Sequence, residues 1–140
     1  MPVRLCWLLI MFMTTVGCGE QLATVSGTIT LDGQPIAAGG DVRGIVTFNR
    51  ADGHGTPSSG VLDSLGRYRL STAAGDKIEP GEYLVAVSAT KIIIPEPGAT
   101  PSGRPITPRR YASAKNSGLT ADVKAGQNTI DFHLKAETDR

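Results

Sequence analysis

The sequence predicts an all-β fold, a Greek-key β-sandwich of about seven strands. Three observations carry that expectation. Apolar and polar residues alternate with period two in several short runs rich in β-branched side chains. The composition holds Gly 17 and Pro 9 but only 5% aromatics, which favours many turns. No stretch keeps a helical period. In Val25-Ser26-Gly27-Thr28-Ile29-Thr30-Leu31, Val25, Ile29 and Leu31 share a face with Gly27. In the run from Val42 to Phe48, Val42, Val46 and Phe48 align while Arg43 and Thr47 point away. Arg67-Tyr68-Arg69-Leu70 and Thr129 to Lys135 repeat the pattern, and Tyr83-Leu84-Val85-Ala86-Val87 reads as a central strand buried on both sides. Turn chemistry separates the runs at Asp32-Gly33, Gly39-Gly40-Asp41, Asp52-Gly53, Leu65-Gly66, Pro80-Gly81 and Ala125-Gly126.

The first 17 residues differ from the rest. Arg4 precedes an apolar run from Leu5 to Met13, and Thr14-Thr15-Val16-Gly17 leads into Cys18. That run is too short to span a bilayer as a helix and has the order of an export signal. Gly17-Cys18 at its end resembles the lipobox of bacterial lipoproteins, with Thr15 at the position usually held by Leu. The other readings are a plain secretory signal and a short buried helix. The resemblance implies cleavage before Cys18 and a diacylglyceryl lipid on its thiol, with no other cofactor expected. Gly19, where inner-membrane lipoproteins often carry Asp, favours the outer membrane or cell surface. Without residues 1–17 the chain loses Arg4 and is neutral, with 13 basic against 13 acidic residues. It then keeps Cys18 alone, so it has no disulfide and no thiol free for catalysis. Near-neutral charge gives no electrostatic basis for binding nucleic acid.

Residues 18–22 form a lipidated linker, 23–135 the sandwich and 136–140 a C-terminal tail. Within the sandwich, Val25 to Ile36 resembles the V-x-G-x-V-x-x-x-G-x-P-L opening of carboxypeptidase regulatory-like (transthyretin-like) domains. Asp63-Ser64-Leu65-Gly66-Arg67-Tyr68-Arg69-Leu70 is similar to their D-x-x-G-x-Y/F-x-L hairpin. Pro80-Gly81-Glu82-Tyr83-Leu84-Val85-Ala86-Val87 is similar to their P-G-x-Y-x-V-x-V strand. Arg110-Tyr111, Ser117 to Val123 and Asn128 to Phe132 resemble the last third of small exported lipoproteins of planctomycete-type bacteria. The resemblance implies a transthyretin-like or immunoglobulin-like sandwich without carboxypeptidase activity, used as a scaffold or binding unit. It does not extend to the terminal Y-R-G-S of transthyretin-like 5-hydroxyisourate hydrolases, because this chain ends Lys135-Ala136-Glu137-Thr138-Asp139-Arg140. Tyr68 and Tyr83 read as core residues whose hydroxyls pin loops, and Gly33 and Gly66 as turn positions with positive φ.

Two functions of different class follow. The first is a non-catalytic, lipid-anchored envelope module that binds or scaffolds protein or polysaccharide, with the membrane as its other partner. Its candidate binding loop is 91–110, KIIIPEPGATPSGRPITPRR, which holds five prolines and a charge of +3 from Lys91, Arg104, Arg109 and Arg110 against Glu96. Tyr111 adjoins it. Proline at this density predicts an extended, polyproline-like excursion rather than a sheet. The second is a hydrolase or metal-dependent enzyme using His54, in a polar turn from Asp52 to Gly60, or the solvent-facing His133. Ser58, Ser59 or Ser64 would then serve as nucleophile. No G-x-S-x-G elbow and no paired-histidine zinc spacing occurs. A cation would need Asp41, Asp52 and Asp63 to meet at one end of the sandwich. The sequence sets no oligomeric state.

Overall fold

The computed structural model describes residues 21–137; the expected signal segment, the expected lipidation at Cys18 and the last three residues lie outside the described residues. The protein is all-β, and two sheets face each other. Its strands are β1 (Ala23–Leu31), β2 (Gln34–Pro35), β3 (Val42–Arg50), β4 (Ser58–Val61) and β5 (Arg67–Arg69). There follow β6 (Gly81–Ile93), β7 (Ser102–Pro105), β8 (Leu119–Val123), β9 (Gly126–Thr129) and β10 (Phe132–Leu134), with a 3₁₀ turn at Arg109–Ala112.

Ten segments replace the expected seven or so because three strand lines are interrupted. β9 and β10 run parallel to β1 in one unbroken register, from Ala23 opposite Gly126 to Leu31 opposite Leu134, and break only at Ile130 and Asp131. β2 and β5 pair antiparallel with β1, and β7 and β8 with opposite ends of the long β6. The second sheet continues from β6 through β3 to β4. Paired backbone bonds between Ser59 and Ser71, 2.8 and 3.0 Å long, stitch β4 to the chain just after β5 and join the two sheets along one side.

The alternation in the sequence becomes the inside and outside of the sandwich. Val25, Gly27 and Ile29 of β1 face Val46 and Phe48 of β3 and Val85 and Val87 of β6 across one core. Phe48 is fully buried at its centre, its ring 6.2 Å from Tyr68, 5.8 Å from Tyr83 and 6.0 Å from Phe132. Burying a ring of that size stabilises a fold by about 3 kcal/mol. One expectation needs correction: β6 is central in its sheet but not buried on both faces. Leu84 and Ala86 are half-exposed on its outer side. Small and β-branched residues make a strand without requiring cover on its second face.

The two ends of the sandwich are distinct. Ala23 and Ile78 exchange backbone bonds of 2.8 Å, and Gly126 donates to Leu22, so the chain enters beside the start of β6. β6 then runs for 13 residues, about 40 Å at the usual rise per residue, to the opposite end.

Candidate functional site

Residues 91–110 do not form the free polyproline excursion that their composition predicts. Lys91 to Ile93 end β6, and Ser102 to Pro105 pair with Ile93 to Thr90 as the edge strand β7. Only the tip between them is non-repetitive. The proline positions explain why a sheet survives. Ile106 N–H donates to Ala89 O, whereas Ile92 N–H turns the other way to Asp41 O. By strand alternation Arg104 and Ser102 therefore bond inward, and Pro101, Gly103 and Pro105 turn their backbone groups to the free edge. The donors that proline lacks are missing where no partner strand needs them. Thr107 closes the hairpin base, with its buried hydroxyl accepting from Ala89 N–H at 3.0 Å.

The structure separates the five residues of the candidate binding loop by role. Lys91 pairs with Asp41 at 3.4 Å. Arg110 lies over the Tyr111 ring, 4.5 Å from its centroid, and donates to the Tyr111 hydroxyl at 2.8 Å and to Lys135 O at 3.0 Å. Tyr111 is buried, and its hydroxyl also accepts from Lys135 N–H. Burial would raise the Tyr111 phenol, but the Lys135 N–H and the Arg110 guanidinium together hold it below its ordinary value. Arg110 and Tyr111 thus fasten β10 to the second sheet. Arg104 and Arg109 have no hydrogen bond or ion pair among the described residues and are exposed, Arg104 on β7 with Ile93, Ile94 and Ile106 on the same hairpin, and Arg109 in the 3₁₀ turn beyond it. Ile94 is 62% exposed. The hairpin therefore offers three isoleucines and the unpaired Arg104 guanidinium toward the end opposite the chain's entry, with Arg109 in the 3₁₀ turn behind it.

Among the described residues neither histidine side chain is hydrogen-bonded to Ser58, Ser59 or Ser64. His54 lies on an exposed turn, where its own N–H donates to Asp52. His133 is exposed on β10 and shares a 2.9 Å hydrogen bond with Thr30 Oγ1. The predicted polar turn from Asp52 to Gly60 ends early, because Ser58 to Val61 form β4. Ser58 is buried there, so it cannot meet a substrate without opening the strand.

The three aspartates are occupied separately. Asp52 accepts three bonds from Arg50 and one from His54 N–H, and these hold its carboxyl at about 2. The same guanidinium reaches Glu79 at 3.0 Å and sits 6.0 Å from the Tyr83 ring centroid, and its own protonation is driven above the usual range chiefly by Asp52. Asp63 caps its own turn through Leu65 N–H, Arg67 N–H and Arg67 Nε. The Arg67 N–H is the leading cause that keeps its carboxyl below the usual range. This accounts for the D-x-x-G signature as turn chemistry. Among the described residues no three His, Cys, Asp or Glu side chains gather as a metal site.

The two tyrosines read as loop pins are buried and act so: Tyr83 donates to Glu79 O at 2.6 Å and Tyr68 to Ile130 O at 2.7 Å. Burial pushes both phenols up. At the break between β9 and β10 the Ile130 carbonyl turns inward over Gly27, and Asp131 Oδ1 takes the Thr28 N–H at 2.8 Å. A Cβ at Gly27 would fall on that carbonyl. Sequence reading missed this stitch because its partners lie about a hundred residues apart, although Gly27 at an inward strand position is its trace.

No helix among the described residues is long and apolar enough to cross a membrane. No family model matches the chain, and no curated protein matches it. One solved structure of similar shape is the dioxygenase domain of a dioxygenase carbohydrate-binding protein fusion from the cellulolytic bacterium Streptomyces sp. SirexAA-E. It is 18% identical, the match covers 88% of this chain and 85% of that chain, and the TM-score is 0.38. At that identity and score the two share too little geometry for a site or an activity to pass from one to the other.

Proposed function

We propose that the protein is a non-catalytic, lipid-anchored module of the cell envelope, of the carboxypeptidase regulatory-like kind, that binds a protein partner through the β6–β7 hairpin. The observation that carries this reading is the contrast at the hairpin. Three of the seven large apolar side chains left exposed among the described residues, Ile93, Ile94 and Ile106, gather here on one hairpin with the unpaired Arg104, whereas all five described aromatic rings are buried. Apolar side chains beside an unpaired guanidinium suit a protein surface with an acidic rim. They suit a neutral polysaccharide less well, because sugar rings stack on exposed aromatics and the described ones are buried.

A lipid on Cys18 would place the anchor beside the chain's entry, leaving the hairpin at the far end. Several acyl chains hold a protein at a membrane where one does so only marginally. Replacing residues 94–101 by Asn-Gly keeps β7 and Thr107 while removing the tip. With a photoreactive residue at Ser102, exposed and present in both forms, the expected result is loss of the envelope cross-links that the unaltered hairpin forms, with melting temperature unchanged. Cross-links that persist from β7 without the tip would overturn the reading. For the anchor, Cys18→Ser should move the protein from the membrane to the soluble fraction, and continued membrane fractionation would refute it.

A further inference from the structure

The outer face of the first sheet carries a second feature that the hairpin reading does not use. Thr24, Ser26, Thr28 and Thr30 alternate outward along β1. Arg69 and Thr129 flank Ser26 on the two neighbouring strands, and Arg67 and Asp131 flank Thr28. This face is concave: Val61 and Asp63 rise beside it to enclose a hollow of about 540 Å³. A smaller hollow of about 130 Å³ continues it toward Thr24 and Gln127, sharing Ser26, Arg69 and Thr129. The resulting groove follows β1 from Thr24 to Thr28, about 13 Å at the usual rise per residue.

Its charges are arranged unevenly. Arg67 is held by Asp63 at 2.9 Å, and Asp131 spends one oxygen on Thr28 N–H. Arg69 has no acceptor among the described residues, whereas Arg43, Arg50, Arg67 and Arg110 each donate within the chain. Arg104 and Arg109 are also unpaired, but they stand on and just beyond the hairpin; Arg69 stands in both hollows. Ser26, Thr28, Arg67, Arg69 and Thr129 project from strands whose backbones are fixed, which gives a site more precision than a loop does, and Asp131 is held at the β9–β10 break by Thr28 N–H.

We propose that this groove binds a uronate-containing oligosaccharide. The Arg69 fork takes the sugar carboxylate, and Ser26, Thr28, Thr129 and Asp131 exchange hydrogen bonds with its hydroxyls. Arg67 is paired and Arg69 alone is free, so a ligand that brings a single charge to the Arg69 fork, as each uronate ring does, fits better than a dianionic phosphate. The floor offers no exposed aromatic ring, so a neutral sugar finds neither a stacking platform nor a use for the guanidinium. The groove shares no residue with the hairpin, so failure of the hairpin reading leaves it standing.

Calorimetric titration of the full-length chain in detergent micelles tests it, with trigalacturonate, maltotriose and inorganic phosphate as separate probes. Trigalacturonate should bind and maltotriose should not. Arg69→Gln should weaken binding about tenfold or more, the loss of one charge-assisted hydrogen bond, with melting temperature unchanged. Thr129→Val should weaken it several-fold, and Arg104→Gln should leave it unaltered. Because the groove is open to solvent, binding should also weaken as salt rises. No binding of trigalacturonate, equal binding of maltotriose, tighter binding of phosphate, or indifference to both groove variants would each overturn the assignment.

Discussion

The crossing of β1, β5 and the β9–β10 line around Gly27 and the β6–β7 hairpin are built from the same material, short strands with few aromatics, yet they treat their polar groups in opposite ways. At the inner side of the crossing the polar groups are used. Tyr68 donates to the turned Ile130 carbonyl, Asp131 replaces that carbonyl as the acceptor for Thr28, and Gly27 makes the room. At the hairpin Arg104 and Ile94 are left over. The difference teaches where to look for function: chemistry that the fold consumes is unavailable to a partner, and only what it leaves over, at the hairpin or as Arg69 on the outer face of the crossing, is free to bind.

That contrast can be broken by substitution. Gly27→Ala should cost about 3 kcal/mol or more in urea unfolding, because a methyl group collides with backbone that cannot move aside. A loss under about 0.5 kcal/mol, the range of an ordinary surface change, would show that the crossing is not tightly built. Tyr68→Phe strands a buried carbonyl and should cost about 1 to 3 kcal/mol, with the β9–β10 amides gaining hydrogen exchange first.

A third test uses acid. The Asp52 carboxyl lies at about 2 in the folded chain against an ordinary 3.8, so its stabilising contribution is complete above pH 4 and is lost as pH falls toward 2. Asp52→Asn should therefore flatten the fall in melting temperature over that interval. An unchanged slope would show that the Arg50 pair adds nothing to folding. The smallest effect belongs to the hairpin: Ile94→Asp and Arg104→Glu should shift stability by under about 0.5 kcal/mol while abolishing cross-links from the hairpin. If they destabilise like the crossing variants, the hairpin belongs to the core and not to a partner.

Much of the fold was legible in the sequence because inward positions announce themselves. β1, β3, β6 and β10 follow the alternation of Val, Ile, Phe and Leu. β4 was hidden because its inward residues are Ser58 and Gly60, which carry no apolar signal. β7 was hidden because proline normally argues against a strand, and only the register shows that Pro101 and Pro105 face its free side. The candidate site was legible as a basic, proline-rich stretch but not as a division of labour. That Arg110 would lie on Tyr111 and bond Lys135 depends on two segments 25 positions apart in sequence. The Arg69 groove gave no signal, since an arginine between strand residues reads as ordinary solvated surface.

The prolines at the edge of β7 have one more consequence. A protein tethered to a surface meets its own copies in two dimensions, at local concentrations far above those in solution. An unpaired strand edge under such crowding is a template along which neighbouring sheets can polymerise. With the amide hydrogens of residues 101 and 105 removed, that edge offers Gly103 alone as an outward donor, too little to start a ladder. Anchored as proposed, the molecule would thus extend its hairpin among identical neighbours and still stay separate from them.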